Sequence, residues 1–186
     1  MKNINKALIL GSLLFLILHS CESKKVIVNR EVDSKNDGKM LLGTQTLNQF
    51  QKEPYDTWYK EEHDGYAFDN DAIAELKKAK ISSYNITVFL GTWCPDSHRE
   101  FPRFIKILEN LNYPTQKLTI IAVNRKKEAP NGEEGKFNIQ KVPTFIISKY
   151  GKEIGRIVES PKSGWLERDL LEILKKDDTS IKGLFK

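Results

Sequence analysis

Cys94 stands in the run Gly91-Thr92-Trp93-Cys94-Pro95-Asp96-Ser97-His98-Arg99-Glu100-Phe101-Pro102. An apolar stretch that reads as a strand leads into it, and a helical pattern follows. The thiol therefore falls at a helix N-terminus, where unpaired backbone N–H groups and the macrodipole favour an anion. Thiolate is the nucleophilic form of cysteine, so this placement suits thiol–disulfide chemistry. The usual redox version of this site has a second cysteine three residues on, and Ser97 holds that place. The candidate catalytic set is Cys94 as nucleophile, Trp93 and Pro95 on either side of it, and Ser97 at the resolving position.

Other reactive residue types are weaker candidates. His98, one turn after Cys94, reads as an exposed helix histidine near the thiol. Asp96 reads as a first-turn acid that complements the helix dipole. Arg99 and Glu100 read as helix-surface charges, and Ser97 as a helix cap or a hydrogen-bond donor to the Cys94 thiolate. His63 sits in Glu61-Glu62-His63-Asp64 and reads as solvated. There is no Cys/His cluster with metal-ligand spacing, no phosphate loop and no serine-hydrolase elbow. No cofactor and no metal are expected.

The elements that must position Cys94 are readable from periodicity. Tyr55, Trp58 and Tyr59 share one helical face behind Pro54. Asp69 or Asn70 can cap a helix over 71–79 whose buried side carries Ile73 and Leu76. Residues 85–90 and 118–123 read as apolar strands. Between them, residues 97–111 carry Phe101, Phe104, Ile105 and Leu108 at helical spacing. Residues 124–136 read as loop. Residues 143–148 and 153–158 read as a hairpin turning at Tyr150-Gly151, and 164–175 as a closing helix. Two strands joined by a helical crossover should be parallel, and two joined by a tight turn antiparallel. The fold class is α/β: a mixed central sheet flanked by helices on both faces.

The first twenty residues read as a segment outside the fold. Lys2 and Lys6 precede an apolar core over 7–18 that is short for a membrane span. Leu18-His19-Ser20-Cys21 follows, and it resembles a bacterial lipoprotein signal. That resemblance implies lipidation of Cys21, which would become the first residue of the mature chain. The expected division is a signal over 1–20, a polar tether over 21–40, a folded domain over 41–176 and a loose tail over 177–186. The net charge of +5 falls when Lys2 and Lys6 are set aside, leaving 28 basic residues against 25 acidic ones. The basic residues are interleaved with acids and form no stripe, so nucleic acid is not an expected partner. With Cys21 acylated, Cys94 is a single free thiol in an oxidising compartment, where an unpaired cysteine is unusual.

Element order and motif together resemble the thioredoxin family over about residues 68–175. Trp93 precedes the nucleophile position, and Pro102 matches the proline inside the active-site helix. Val142-Pro143-Thr144 resembles the cis-proline segment that faces the thiol, and Gly151 matches the hairpin turn. The resemblance implies that Val142, Pro143 and Thr144 bind extended substrate peptide by adding it as a strand. Two departures stand out. Ser97 replaces the resolving cysteine, and Val88 stands where many thioredoxins bury an acid.

The expected activity is monothiol thiol–disulfide exchange in the bacterial cell envelope, with lipid attachment to the membrane. The expected partners are envelope proteins with disulfides or oxidised thiols, and an external thiol reductant. The alternative is a non-catalytic peptide- or protein-binding module on the same fold. The signal reading has its own test: Cys21→Ser should leave the chain unprocessed or soluble. Intact-mass analysis showing an unmodified N-terminus at another residue would overturn it.

Overall fold

Two strands, β1 (Arg30–Ser34) and β2 (Gly38–Gln45), open the folded chain as an antiparallel hairpin. The computed structural model describes residues 27–35 and 37–183. The expected signal, Cys21 and the start of the tether lie outside the described residues. After the hairpin come α1 (Asp56–Gly65), α2 (Asn70–Lys78), β3 (Asn85–Leu90), α3 (Pro95–Asn110), β4 (Leu118–Ala122) and the one-turn α4 (Glu133–Lys136). The chain then forms β5 (Thr144–Lys149), β6 (Lys152–Val158) and α5 (Leu166–Gly183).

The six strands lie in the order β1-β2-β4-β3-β5-β6. β3 and β4 are parallel across the α3 crossover, with Ile86 opposite Leu118 and Leu90 opposite Ala122. β5 runs antiparallel to β3 and turns into β6 through Tyr150 and Gly151, both at positive φ. This is the thioredoxin-fold core, widened at one edge by the β1–β2 hairpin. The tether expected up to residue 40 is thus corrected: Arg30–Ser34 is a strand, and a second strand begins at Gly38. The pairing of Gly43 to Gln45 with β4 anchors the hairpin. β1 is exposed to half-exposed along its length, so its sequence carries polar residues that read as linker.

Alternation in the central strands sorts the core into two layers. Ile86, Val88 and Leu90 of β3 point to the face shared with Phe101, Phe104, Ile105 and Leu170. Phe89 points the other way, with Ile121, Val123, Ile146 and Cys94. Both layers exclude water, as a strand inside a covered sheet requires. α1, α2, α3 and α5 contribute to the first layer. The segment carrying α4 covers the second layer through Phe137 and Ile139.

Local chemistry fixes the helices to this sheet. Asp69 caps α2, accepting from Asp71 N–H at 3.0 Å and Ala72 N–H at 3.1 Å. Glu167, fully buried in the first turn of α5, accepts from Tyr66 Oη at 2.7 Å and from Asp69 N–H at 2.6 Å. α5 continues past residue 177, which corrects the loose tail expected there. Asp177 accepts from Tyr84 Oη at 3.0 Å and from Lys149 Nζ at 2.8 Å. Among the described residues no helix is long and apolar enough to cross a membrane.

His63 is not the solvated histidine that its acidic surroundings suggested. Its ring stacks on Tyr59 at 5.7 Å, and its two nitrogens meet Asp64 at 2.9 Å and Glu109 at 2.8 Å. Burial opposes its charge, but hydrogen bonds to Asp64 and Glu109 outweigh burial and raise its pKa above 6.5. A raised histidine stabilises the fold fully below the unfolded value and loses that contribution as pH climbs through the folded value. His63→Gln should therefore lower the Tm more at a pH of about 5.5 than at about 8.5. Thermal denaturation at both values measures this, and an equal loss at both would contradict the pairing.

Candidate functional site

The turn between β3 and α3 holds the site. Gly91 carries no side chain, and the indole of Trp93 lies across it: a Cβ built at Gly91 would meet the ring at 2.6 Å. Trp93 Nε1 donates to the Val123 carbonyl at 2.9 Å, fixing the ring to the end of the neighbouring strand. Thr92 Oγ1 accepts from Leu41 N–H at 3.3 Å, tying the turn to β2. Cys94 N–H then bonds the Gly91 carbonyl at 2.9 Å, and the Cys94 carbonyl accepts from His98 N–H at 3.0 Å.

Cys94 is the N-cap residue of α3, with Pro95 at its first turn. Proline is suited there because its missing N–H would have no intrahelical partner. The thiol is 8% exposed and belongs to the apolar layer around Phe89 and Val142. Its Sγ lies 3.4 Å from the Val142 carbonyl oxygen as donor. The Val142–Pro143 peptide bond is cis, and the loop lies against the Cys94 turn. Pro143 offers its own carbonyl to Glu159 N–H at 2.7 Å, and Thr144 Oγ1 donates to the Lys141 carbonyl at 2.7 Å. The structure therefore brings Trp93, Cys94, Val142, Pro143 and Thr144 together. Pro95 is exposed beside them.

Ser97 is fully buried, and its Oγ accepts from Gly91 N–H at 3.2 Å. This corrects the helix-cap reading: the hydroxyl reaches back to the preceding turn, and the N-cap has no side-chain hydrogen bond. Glu100 is also corrected. It is 4% exposed, not a surface charge, and accepts from Arg99 Nε at 2.6 Å. Arg99 also reaches Asp96 at 2.8 Å. Hydrogen bonding to Glu100 is the main reason the Arg99 guanidinium is held above its usual basicity. His98 is half-buried, stacked on Trp58 at 4.4 Å with Nε2 placed 2.7 Å from the Thr92 carbonyl. Val88, below the site, is fully buried among apolar neighbours.

Two residues at this end of the sheet carried no signal in their local sequence. Arg125 follows β4, and its guanidinium lies over the Trp93 ring, 5.2 Å from the centroid. Asp37, in the β1–β2 turn, accepts from Arg125 Nε through both carboxylate oxygens at 3.0 and 2.9 Å. Arg125 could have been found from the rule that open α/β sheets place ligands beyond the carboxyl ends of strands. Asp37 could not, because its segment read as tether. Among the described residues no group of three or more His, Cys, Asp or Glu is placed to hold a metal.

No family model matches the chain. A stretch of 84 residues, 45% of the chain, is 33% identical to a thioredoxin-like protein of Acanthamoeba polyphaga mimivirus. The match spans 58% of that relative's length. Among solved structures, oxidised mitochondrial thioredoxin 3 from Saccharomyces cerevisiae is similar at TM-score 0.33 and 19% identity, over 49% of this chain and 82% of its own. Oxidised thioredoxin O2 from Arabidopsis thaliana is similar at TM-score 0.33 and 20% identity, over 65% of this chain and 92% of its own. The strand order and register carry the fold assignment without these overlays.

The close approach at Gly91 is open to a direct test. A methyl group there must displace the indole and break its bond to Val123, so Gly91→Ala should cost about 1–3 kcal/mol. Denaturant unfolding measures the loss. An unchanged midpoint would show that the indole does not occupy this place.

Proposed function

We propose that this chain is a membrane-tethered monothiol protein of the bacterial cell envelope that performs thiol–disulfide exchange through Cys94. The observation that supports this most is the meeting of the Cys94 thiol, at the start of α3, with the Val142–Pro143 loop at 3.4 Å. An extended partner segment laid along that loop would bring a disulfide to the thiol, by the strand addition that sheet edges support.

The step follows from sulfur chemistry. The Cys94 thiolate attacks one sulfur of a partner disulfide; the S–S bond breaks, a Cys94–partner disulfide forms, and the other sulfur leaves as thiolate. An external thiolate then attacks the mixed disulfide, restoring Cys94 and leaving the external thiol joined to the partner. Ser97 cannot perform the second attack. Val88, where many proteins of the resembled family bury an acid, cannot move the proton. Isomerisation or removal of small-thiol caps fits this cycle better than net reduction by a resolving cysteine. In this reading Cys21 carries the lipid, with more than one acyl chain giving stable attachment.

One observation favours a non-catalytic peptide-binding module: Cys94 is 8% exposed. The same assay separates the two readings. Wild type should reduce insulin poorly with excess dithiothreitol, Cys94→Ala should lose the residual rate, and Ser97→Cys should gain about tenfold or more. A thiol at 97 attacks from within the complex, at high effective concentration. Indistinguishable rates for wild type and Cys94→Ala would favour the binding module. A wild type as fast as a two-cysteine thioredoxin would overturn the monothiol cycle.

A further inference from the structure

We propose that Arg125 is the cationic positioning residue of the Cys94 thiol, and that Asp37 in the β1–β2 turn sets how much of that charge the thiol feels. The inference rests on the reading of Cys94 as an exchange thiol, and goes beyond it by naming the groups that govern its reactivity.

The geometry is built from three anchored parts. Trp93, next to Cys94 in the chain, is fixed by its bond to the Val123 carbonyl at 2.9 Å. Arg125 lies two residues past Val123 and folds back over the indole face, 5.2 Å from the ring centre. Cation–π contact and the chain reversal together hold the guanidinium beside the turn that carries the thiol. Asp37 grips the same guanidinium from a hairpin 88 residues earlier in the chain. Ser34 Oγ donates to Asp37 at 3.1 Å and steadies the carboxylate. Asp37 is well covered, with 10% of its side chain exposed, while Arg125 is open at 57%. The pair is a fixed anion holding a partly free cation.

The other charges near the thiol are already paired. On α3, Asp96 and Glu100 share Arg99. His98 is turned to the Thr92 carbonyl and stacked on Trp58. Across the Val142–Pro143 loop, Lys141 pairs with Glu159 at 2.6 Å. Arg125 is thus the cation at this face whose partner comes from outside the core fold. Hydrogen bonding from Arg125 is the leading reason the Asp37 carboxyl is held below the usual range. The basicity of Arg125 is raised first by Asp37, against some burial, and also by the charge on Cys94. A cation near a thiolate favours it, and a carboxylate bonded to that cation cancels part of the effect. The hairpin that extends the sheet therefore acts as an electrostatic brake on the thiol.

The test uses the mature full-length chain and the rate of Cys94 alkylation by iodoacetamide across pH. Arg125→Gln should slow alkylation at neutral pH by about three- to tenfold and move the midpoint of the rate–pH curve upward. Asp37→Asn should do the opposite. Arg125→Lys should fall between wild type and Arg125→Gln, since it keeps the charge but loses the planar fork. The double variant Arg125→Gln/Asp37→Asn should fall between Arg125→Gln and wild type, because it also removes the carboxylate that the single variant leaves unpaired. A midpoint moved the same way by Asp37→Asn and Arg125→Gln, or left in place by both, would overturn the proposal. Exchange of wild type with oxidised glutathione is measured separately. Its failure would remove the exchange reading, while the signs of the alkylation shifts still decide the role of Arg125.

Discussion

A chain that passes from a central strand into a helix must reverse its backbone demands within a few residues, and here the turn from Gly91 to Cys94 does so. The amide of Gly91 leaves the sheet and is taken by Ser97 Oγ at 3.2 Å. The carbonyl of Gly91 is taken by Cys94 N–H at 2.9 Å. Both groups are buried, and a buried backbone polar group without a partner costs about 1–3 kcal/mol. The requirement fixes Ser97 as an acceptor and leaves the thiol, not the hydroxyl, as the group that faces the Val142–Pro143 loop. Placement of Trp93, and through it of Arg125, follows from the same turn.

This arrangement gives Cys94 shelter and a specific neighbourhood. Apolar side chains of the second core layer surround the thiol on the sheet side. The helix N-terminus and Arg125 supply positive potential from the front, while Asp96, Glu100 and Asp37 hold their charges in pairs with arginines. Val88, buried on β3, carries no ionisable group. The proposed exchange would use this thiol, and Ser97 supplies no second thiol one turn on.

Much of this was legible in the sequence because it depends on local periodicity and special residues. The 85–90 strand has the observed bounds Asn85–Leu90, and the Phe101, Phe104, Ile105, Leu108 spacing gives the buried side of α3. Pro102 lies inside that helix, and the loop at Pro143 faces the thiol. What escaped depends on partners distant in the chain. β1 reads as linker because its face is mostly wet, and only its pairing with β2 makes it a strand. Glu100 reads as a surface acid, yet it is buried and accepts from Arg99 Nε. Ser97 reads as a cap because serine at a helix start commonly is one; instead its Oγ accepts from Gly91 N–H.

For exchange to occur, a thiol sheltered to 8% exposure must be reachable by a disulfide in the native fold. Incubating native protein with oxidised glutathione, followed by intact-mass and peptide mapping, tests this most directly. One glutathione adduct should form on Cys94, without loss of the folded state, and none in Cys94→Ala. An adduct that appears only after denaturation would show that Cys94 is a structural thiol, closed to exchange.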